Sequence, residues 1–267
     1  MKLKDVKIIN STFNFYFQIN NILKNMKIKL YIFLLFLPLY LFSQNNYQVK
    51  YKMTTLFDGI KNYDTKLTFS NFQSCFEYKL SLKDTASVES QDENGNYKIL
   101  VPDKNTQKIY LDLKSKKSSE IKYLKTVFIV QDSLTFPYWV IFDEAKTINN
   151  HLCRKATTKY KGRDYEVWFT DEYPTMFGPW KLNGLPGLII VAQDKRGEVF
   201  FEATEIQKMD ENICKEDSSI KHLSKVEFDD QIKKWQKNYE ERLKSMGDRN
   251  SKVSVKFGKA MGIEILD

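Results

Sequence analysis

His151 and Cys153 stand two residues apart, so a strand would set both side chains on one face. An imidazole beside a thiol is the arrangement that generates a thiolate nucleophile. Along a strand, however, their Cβ atoms would lie roughly 6–7 Å apart, and the sequence offers no third group to orient the ring. Asp143-Glu144 and Asp171-Glu172 could supply carboxylates for acid–base work. Adjacent residues on a strand point to opposite faces, so neither pair is a ready dyad. The second histidine, His222, is distant in sequence. There is no CxxC, HExxH, acidic calcium loop, GxSxG, phosphate loop or dinucleotide fingerprint. The residues predict no catalytic group, no metal site and no cofactor.

A different segment stands out. Three of the ten glycines and three of the six prolines fall between Pro174 and Gly187. So much backbone punctuation predicts a defined chain path rather than chemistry. Pro186 presets φ for the first central position of a tight turn, and Gly187 is expected to supply positive φ at the second, a type II turn over residues 185–188. Leu185, Leu188 and Ile189 would point into the core, and Trp180 would anchor a second bend at Gly178-Pro179. The segment is a corner of the fold. If it binds anything, Trp168, Trp180, Gly184, Leu185, Pro186 and Gly187 are the candidates for a binding rim.

These residues must be held by strands. Tyr47, Val49, Tyr51, Met53 and Thr55 alternate with polar residues, a half-buried strand. Residues 66–72, 75–82, 97–101, 108–113 and 120–130 follow as strands, with 84–96 as a polar turn segment. Residues 139–142 are expected to pack into the core. Lys161-Gly162-Arg163 and Asp194-Lys195-Arg196-Gly197 each join two strands as hairpins. Short strands at regular spacing predict an antiparallel sheet. Phe228, Ile232, Trp235, Tyr239 and Leu243 then fall at helical spacing, which predicts an amphipathic helix over 226–246 packed on the sheet. Residues 252–266 could add a last strand. With 4 Trp, 15 Tyr and 19 Phe, a curved sheet could present an aromatic concave face to an apolar ligand.

The first 43 residues read as targeting sequence. Lys27 and Lys29 precede an apolar run, Leu30 to Phe42, with Ser43 near a plausible cleavage point. Met26 makes a better start than Met1. The protein is therefore expected to be exported to the periplasm or cell envelope, with residues 44–267 as one β domain and no transmembrane segment in it. Five of the eight net positive charges lie in the first 43 residues, where Lys2, Lys4, Lys7, Lys24, Lys27 and Lys29 face Asp5 alone. Without them the balance is only slightly basic, which removes the case for a nucleic-acid partner. Three cysteines in an oxidising compartment allow one disulfide; Cys153–Cys214 is the expected pair, and three reduced, buried thiols are the alternative.

The centre of the chain reads Cys153-Arg154-Lys155-Ala156, then Trp168-Phe169-Thr170, Gly178-Pro179 and Gly184-Leu185-Pro186-Gly187-Leu188-Ile189. This resembles the GLPGLI family, exported proteins of the Bacteroidetes named for that hexamer. The specific match covers roughly residues 148–206. The resemblance implies export and a mainly β domain, and brings no catalytic residues with it. The expected fold is a curved antiparallel sheet or open half-barrel, with one C-terminal amphipathic helix packed on it. That layout is similar to the architecture of periplasmic lipoprotein carriers. Two functions are expected from it, neither enzymatic. One is binding of an apolar small molecule or lipid on the concave face under the helix. The other is docking to an outer-membrane receptor or another envelope protein near the corner. A hydrolase is the third and least supported reading.

Overall fold

In the computed structural model the described residues are 46–57, 59–81, 88–91, 97–100, 105–210, 213–246 and 263–264. The expected signal peptide, the start at Met26, the turn at 93–96 and most of the expected last strand lie outside them. The strands are β1 (Asn46–Thr55), β2 (Lys61–Phe69), β3 (Gln73–Leu80), β4 (Val88–Gln91), β5 (Tyr97–Leu100), β6 (Gln107–Asp112) and β7 (Lys117–Tyr123). They continue as β8 (Val127–Ser133), β9 (Val140–Ile148), β10 (His151–Tyr160), β11 (Arg163–Thr170), β12 (Leu188–Asp194), β13 (Val199–Met209) and β14 (Lys221–Ser224), followed by the helix α1 (Lys225–Met246).

Twelve strands form one open sheet in the order β14-β8-β7-β6-β3-β2-β1-β13-β12-β11-β10-β9. All neighbours are antiparallel except β14, which runs parallel to β8. The protein is mainly β, an open and mostly antiparallel sheet with one C-terminal helix packed on it, as the sequence predicts. β5, the strand expected at 97–101, pairs antiparallel with β4, which lies within the 84–96 stretch read as a polar turn, in a separate two-stranded sheet. The stretch read as one strand over 120–130 is two, because the chain reverses at residues 124–126, where the Leu124 amide donates to the Thr126 carbonyl at 3.0 Å.

Hairpin chemistry sets the register on the β9–β13 side. Lys161 and Gly162 both adopt positive φ, 50° and 77°, and so do Asn149 and Asn150, 50° and 67°. Two consecutive left-handed residues make the tight turn whose twist matches that of the flanking strands. Between β12 and β13 the Gly197 amide donates to the Asp194 carbonyl at 3.0 Å, with Gly197 at φ 69°.

Period-two alternation gives each strand one inward face. Val49, Tyr51 and Met53 of β1, Leu67 and Phe69 of β2, Phe76 of β3, Ile109 and Leu111 of β6, and Tyr165, Val167 and Phe169 of β11 form one buried cluster. β12 pairs with β13 only from Val191 to Gln193 and then diverges. The Tyr51 phenol spans that divergence, donating to the Ile189 carbonyl at 2.9 Å. Burial drives its pKa well above the ordinary tyrosine value, so it remains a donor.

A second cluster lies on the opposite face of β3, β6, β7 and β8: Cys75, Tyr110, Ile121 and Ile129, against Ile213, Cys214 and Ile220. Here the disulfide is Cys75–Cys214, with Cα atoms 6.0 Å apart, and not the expected Cys153–Cys214. Cys153 is a buried free thiol in the other cluster. The reason is which cluster each cysteine joins, which spacing in the sequence does not reveal.

The helix spans 225–246, one residue longer than expected at its start. Its N-terminus is a capping box: the Ser224 hydroxyl accepts from the Glu227 amide at 3.2 Å, and the Glu227 carboxylate accepts from the Ser224 amide at 2.7 Å. Phe228 and Ile232 pack on Val130, Phe128 and Leu223 of β8 and β14. By strand alternation the helix lies on the same face as the main cluster, but over its β8–β14 end and not over the aromatic residues of β1, β2, β3 and β11 that it was expected to cover. No helix among the described residues is long and apolar enough to cross a membrane.

Candidate functional site

Residues 175–187 lie against the inner face. Phe177, Trp180, Leu182 and Leu185 are all buried in the main cluster. Phe177 meets Phe69 at 6.4 Å between centroids, and Trp180 meets Tyr160 and Tyr165 at 6.3 and 6.4 Å. The aromatic concave face is therefore occupied by the protein's own chain. An open concavity of about 640 Å³ does lie over residues 50–53 and 62–65, but Lys50, Lys52 and Asp64 share its wall.

The path of this segment is fixed by one backbone-to-side-chain bond, one backbone–backbone bond and two close approaches. The Asn183 carboxamide oxygen accepts from the Gly178 amide at 2.9 Å, and the Gly184 amide donates to the Met176 carbonyl at 2.7 Å. A Cβ on Gly178 would lie 2.1 Å from the Leu182 carbonyl oxygen, and one on Gly187 would lie 2.2 Å from that of Thr170. The expected positive φ at Gly187 is not found. Gly184 (φ 101°) and Trp180 (φ 54°) carry the left-handed conformations, and Gly187 serves close packing against β11. A non-glycine residue in that region costs roughly 1–3 kcal/mol, which burial of the Trp180 ring against two tyrosines offsets. Leu185, Leu188 and Ile189 point into the core as expected, while Pro186 is exposed.

Charge ties the corner to distant strands. Lys181 pairs with Glu120 of β7 and with Glu264. Burial pushes the Glu120 carboxyl up, but Lys122 and Lys181 outweigh it and hold its pKa down at about 2. Arg163, at the start of β11, donates to Asp194 at 2.7 Å, Glu198 at 2.6 Å and the Ile263 carbonyl at 2.8 Å. The Asp194 carboxylate also accepts from the amides of Glu198 and Val199 at 2.7 and 2.9 Å. These groups are fully engaged with one another and brace the fold.

The residues that could do chemistry are each occupied separately. The His151 imidazole meets the Glu172 carboxylate at 2.6 Å, not the thiol. The Cys153 thiol donates to the His151 carbonyl at 3.4 Å, and burial pushes its pKa up to about 11. Asp171 pairs with Arg154 at 3.0 Å and Glu144 with Lys155 at 3.4 Å. His222 lies by Gln131 at 3.0 Å, at the other end of the sheet. Among the described residues one group of three could reach a metal ion, Cys75, Glu77 and Cys214, and its cysteines are the disulfide.

The expected rim residues do not gather at one mouth. Trp180, Leu185 and Gly187 are buried, and Gly184 packs on Phe136, where a Cβ would come within 3.1 Å. By strand alternation Trp168 faces away from Tyr165 and Val167. Lys146 lies over its ring, 3.8 Å from the centroid, and Lys155 lies at 5.8 Å. It lines an open groove of about 490 Å³ with Lys146, Glu166, Val191 and Gln193.

What the corner presents is the start of β9. The Trp139 indole donates to the Asn183 carbonyl at 2.9 Å, and the Thr158 hydroxyl to the Tyr138 carbonyl at 2.7 Å. Residues 139–142, expected in the core, are exposed apart from Trp139. Tyr138 is 86% exposed, Val140 48%, Ile141 42% and Phe142 41%. Among the described residues strand β9 is the last of the sheet and pairs with β10 alone. Side chains on both its faces therefore stand clear, and that is why an apolar run here does not mean burial.

No protein-family model and no curated protein matches the chain. Among solved structures it is similar to PNGF-II in two crystal forms. The P21 form gives a TM-score of 0.47 at 16% identity, covering 70% of this chain and 33% of that one. The C2 form gives 0.49 at 16% identity, covering 70% and 32%. The chain thus spans about a third of the length of PNGF-II.

Proposed function

We propose that this is a GLPGLI-type exported protein of the cell envelope that works as a non-enzymatic interaction module. Its docking surface is the apolar start of β9, held in place by the corner at residues 178–189. The observation that carries the reading is the exposure of Tyr138, Val140, Ile141 and Phe142 at a sheet edge that no further described strand pairs, fastened through Trp139 to Asn183. Contiguous exposed apolar residues on an edge strand are a typical protein-docking feature. The Cys75–Cys214 disulfide supports an oxidising compartment. The occupied concave face weighs against the alternative, an apolar ligand held there.

The partner is an envelope protein, an outer-membrane receptor being the first choice. A photo-cross-linking residue at position 138, in cells exporting the chain, should give a discrete product. The same group at position 56, an exposed leucine elsewhere, should not. Val140→Lys with Ile141→Lys should abolish the product. Equal products from both positions, or none from either, would rule the reading out.

A further inference from the structure

The first half of β9 has open backbone groups as well as exposed side chains. Val140 and Ile141 pair with Thr157 and Ala156 of β10 along one side. Beyond that ladder, among the described residues, no backbone group of residues 140–144 is hydrogen-bonded. The N–H and C=O groups on the outer side of a strand form a half-ladder that a further strand can complete. This half-ladder is bounded at both ends. Pro137 precedes it and has no N–H to donate. After it, residues 142–144 bulge opposite Lys155 alone and interrupt regular pairing.

The side chains define what could complete it. Val140 and Ile141 point to opposite faces, and both are exposed. A strand added here would meet apolar side chains on both its faces, so its matching residues are consecutive apolar ones and not alternate ones. Charge marks the far end. Asp143 and Glu144 are exposed. Asp143 makes no ion pair among the described residues, and Glu144 shares the Lys155 ammonium with Glu166, at 3.4 and 3.0 Å. That end of the half-ladder is therefore acidic and suits a cation.

We infer, on the reading that β9 is the docking surface, that the envelope partner delivers an extended segment that adds to β9 as a further antiparallel strand. The segment carries basic residues followed by a run of apolar ones. β9 already runs antiparallel to β10, and antiparallel ladders are the more stable per residue. Reversed direction places the basic residues, opposite Asp143 and Glu144, ahead of the apolar residues opposite Phe142, Ile141 and Val140. Main-chain bonds then supply affinity and side chains supply selection. A helix or a folded convex surface would leave the half-ladder unfilled and would cover one face of β9 alone.

The test is titration of the protein with end-blocked synthetic peptides, followed by NMR. The probe has two lysines and then three β-branched apolar residues. One comparison peptide has glutamates for the lysines, one has the lysines at the other end, and one is N-methylated at the central amides. The probe should shift the amides of β9. It should bind about threefold to tenfold more tightly than the glutamate and reversed peptides, the gain expected from two exposed ion pairs. The N-methylated peptide should not bind. Asp143→Asn with Glu144→Gln changes exposed residues alone and should erase the preference for lysine over glutamate. No shift in β9, equal binding of the N-methylated or reversed peptide, or a lysine preference that survives in the variant each overturns the added strand. Cross-linking from position 138 reads docking separately: a product there without peptide pairing would leave the docking surface standing and this mode of binding refuted.

Discussion

The two ends of the twelve-stranded sheet are built on opposite plans. At one end β14 is four residues long, lies parallel to β8 and is flanked by α1, whose Phe228 and Ile232 pack on Val130 and Leu223. At the other end β9 is nine residues long and has no described element on its outer edge, beyond its pairing with β10. Its register with β10 shifts between Arg154 and Ala156, so residues 142–144 bulge opposite Lys155 alone. A bulge and charges are standard guards against unwanted strand pairing. Here they protect only the second half, with Asp143, Glu144 and Lys146. The first half is left apolar, next to the corner that positions it. One end carries the fold's own helix on its face, and the other is guarded in part and left apolar where Tyr138 to Phe142 stand.

The largest effect should come from removing the brace of the open end. Trp180→Ala deletes a buried indole and keeps a left-handed backbone position, so it should destabilise by about 3–5 kcal/mol in chemical denaturation. Hydrogen exchange should rise in β9 and β10 more than in β14 and α1. A uniform rise would show that the corner serves the whole sheet and not this end. The converse change is Cys75→Ser with Cys214→Ser. Freeing a bridge across 139 residues of sequence should cost about 2–4 kcal/mol. The added exchange should appear around β8, β14 and α1 and spare β9. Faster exchange in β9 would couple the two ends and break the contrast between them.

Acid should act on the tie between the corner and β7. Glu120 has a folded pKa of about 2 against an ordinary 4.5. A depressed carboxyl contributes stability that is complete above the unfolded value and is lost as pH falls through the folded one. The loss should therefore run from about pH 4.5 down to 2 and amount to roughly 2 kcal/mol, after discounting for the part of the carboxylate that solvent reaches. Glu120→Gln should flatten that limb of the stability–pH curve. An unchanged limb would assign the acid transition to other carboxylates.

The sequence made some of this architecture legible and hid the rest for physical reasons. Hairpins at Lys161-Gly162 and Asp194-Gly197 were readable because their turns need particular backbone conformations that few residues adopt. The capping box is equally visible as Ser224 and Glu227 three apart. The corner's packing was readable from Leu185, Leu188 and Ile189. Its backbone was not, since a glycine can be required for positive φ, as at Gly184, or for lack of a Cβ, as at Gly187, and both look the same in a sequence. The disulfide depended on which cluster each cysteine joins. The apolar run at 139–142 was read as core because a central strand and an unguarded edge share one composition.

The smallest change in stability should separate those two meanings of the run. Val140 and Ile141 point to opposite faces of β9, and both are nearly half exposed. Lysine at both positions leaves the β10 ladder intact and removes little buried area, so the melting midpoint should shift by no more than about 0.5 kcal/mol equivalent. Two core positions replaced in the same way would cost several times that, because a buried unpaired ammonium is expensive. Partner cross-linking from position 138 should nonetheless disappear, since the substitutions give the first half of β9 the charges that already guard its second half. A stable variant that still docks would move the interaction away from this edge. A variant that unfolds would mean that the edge is covered in the intact protein, and that its apolar residues serve an interface within the chain and not one with a partner.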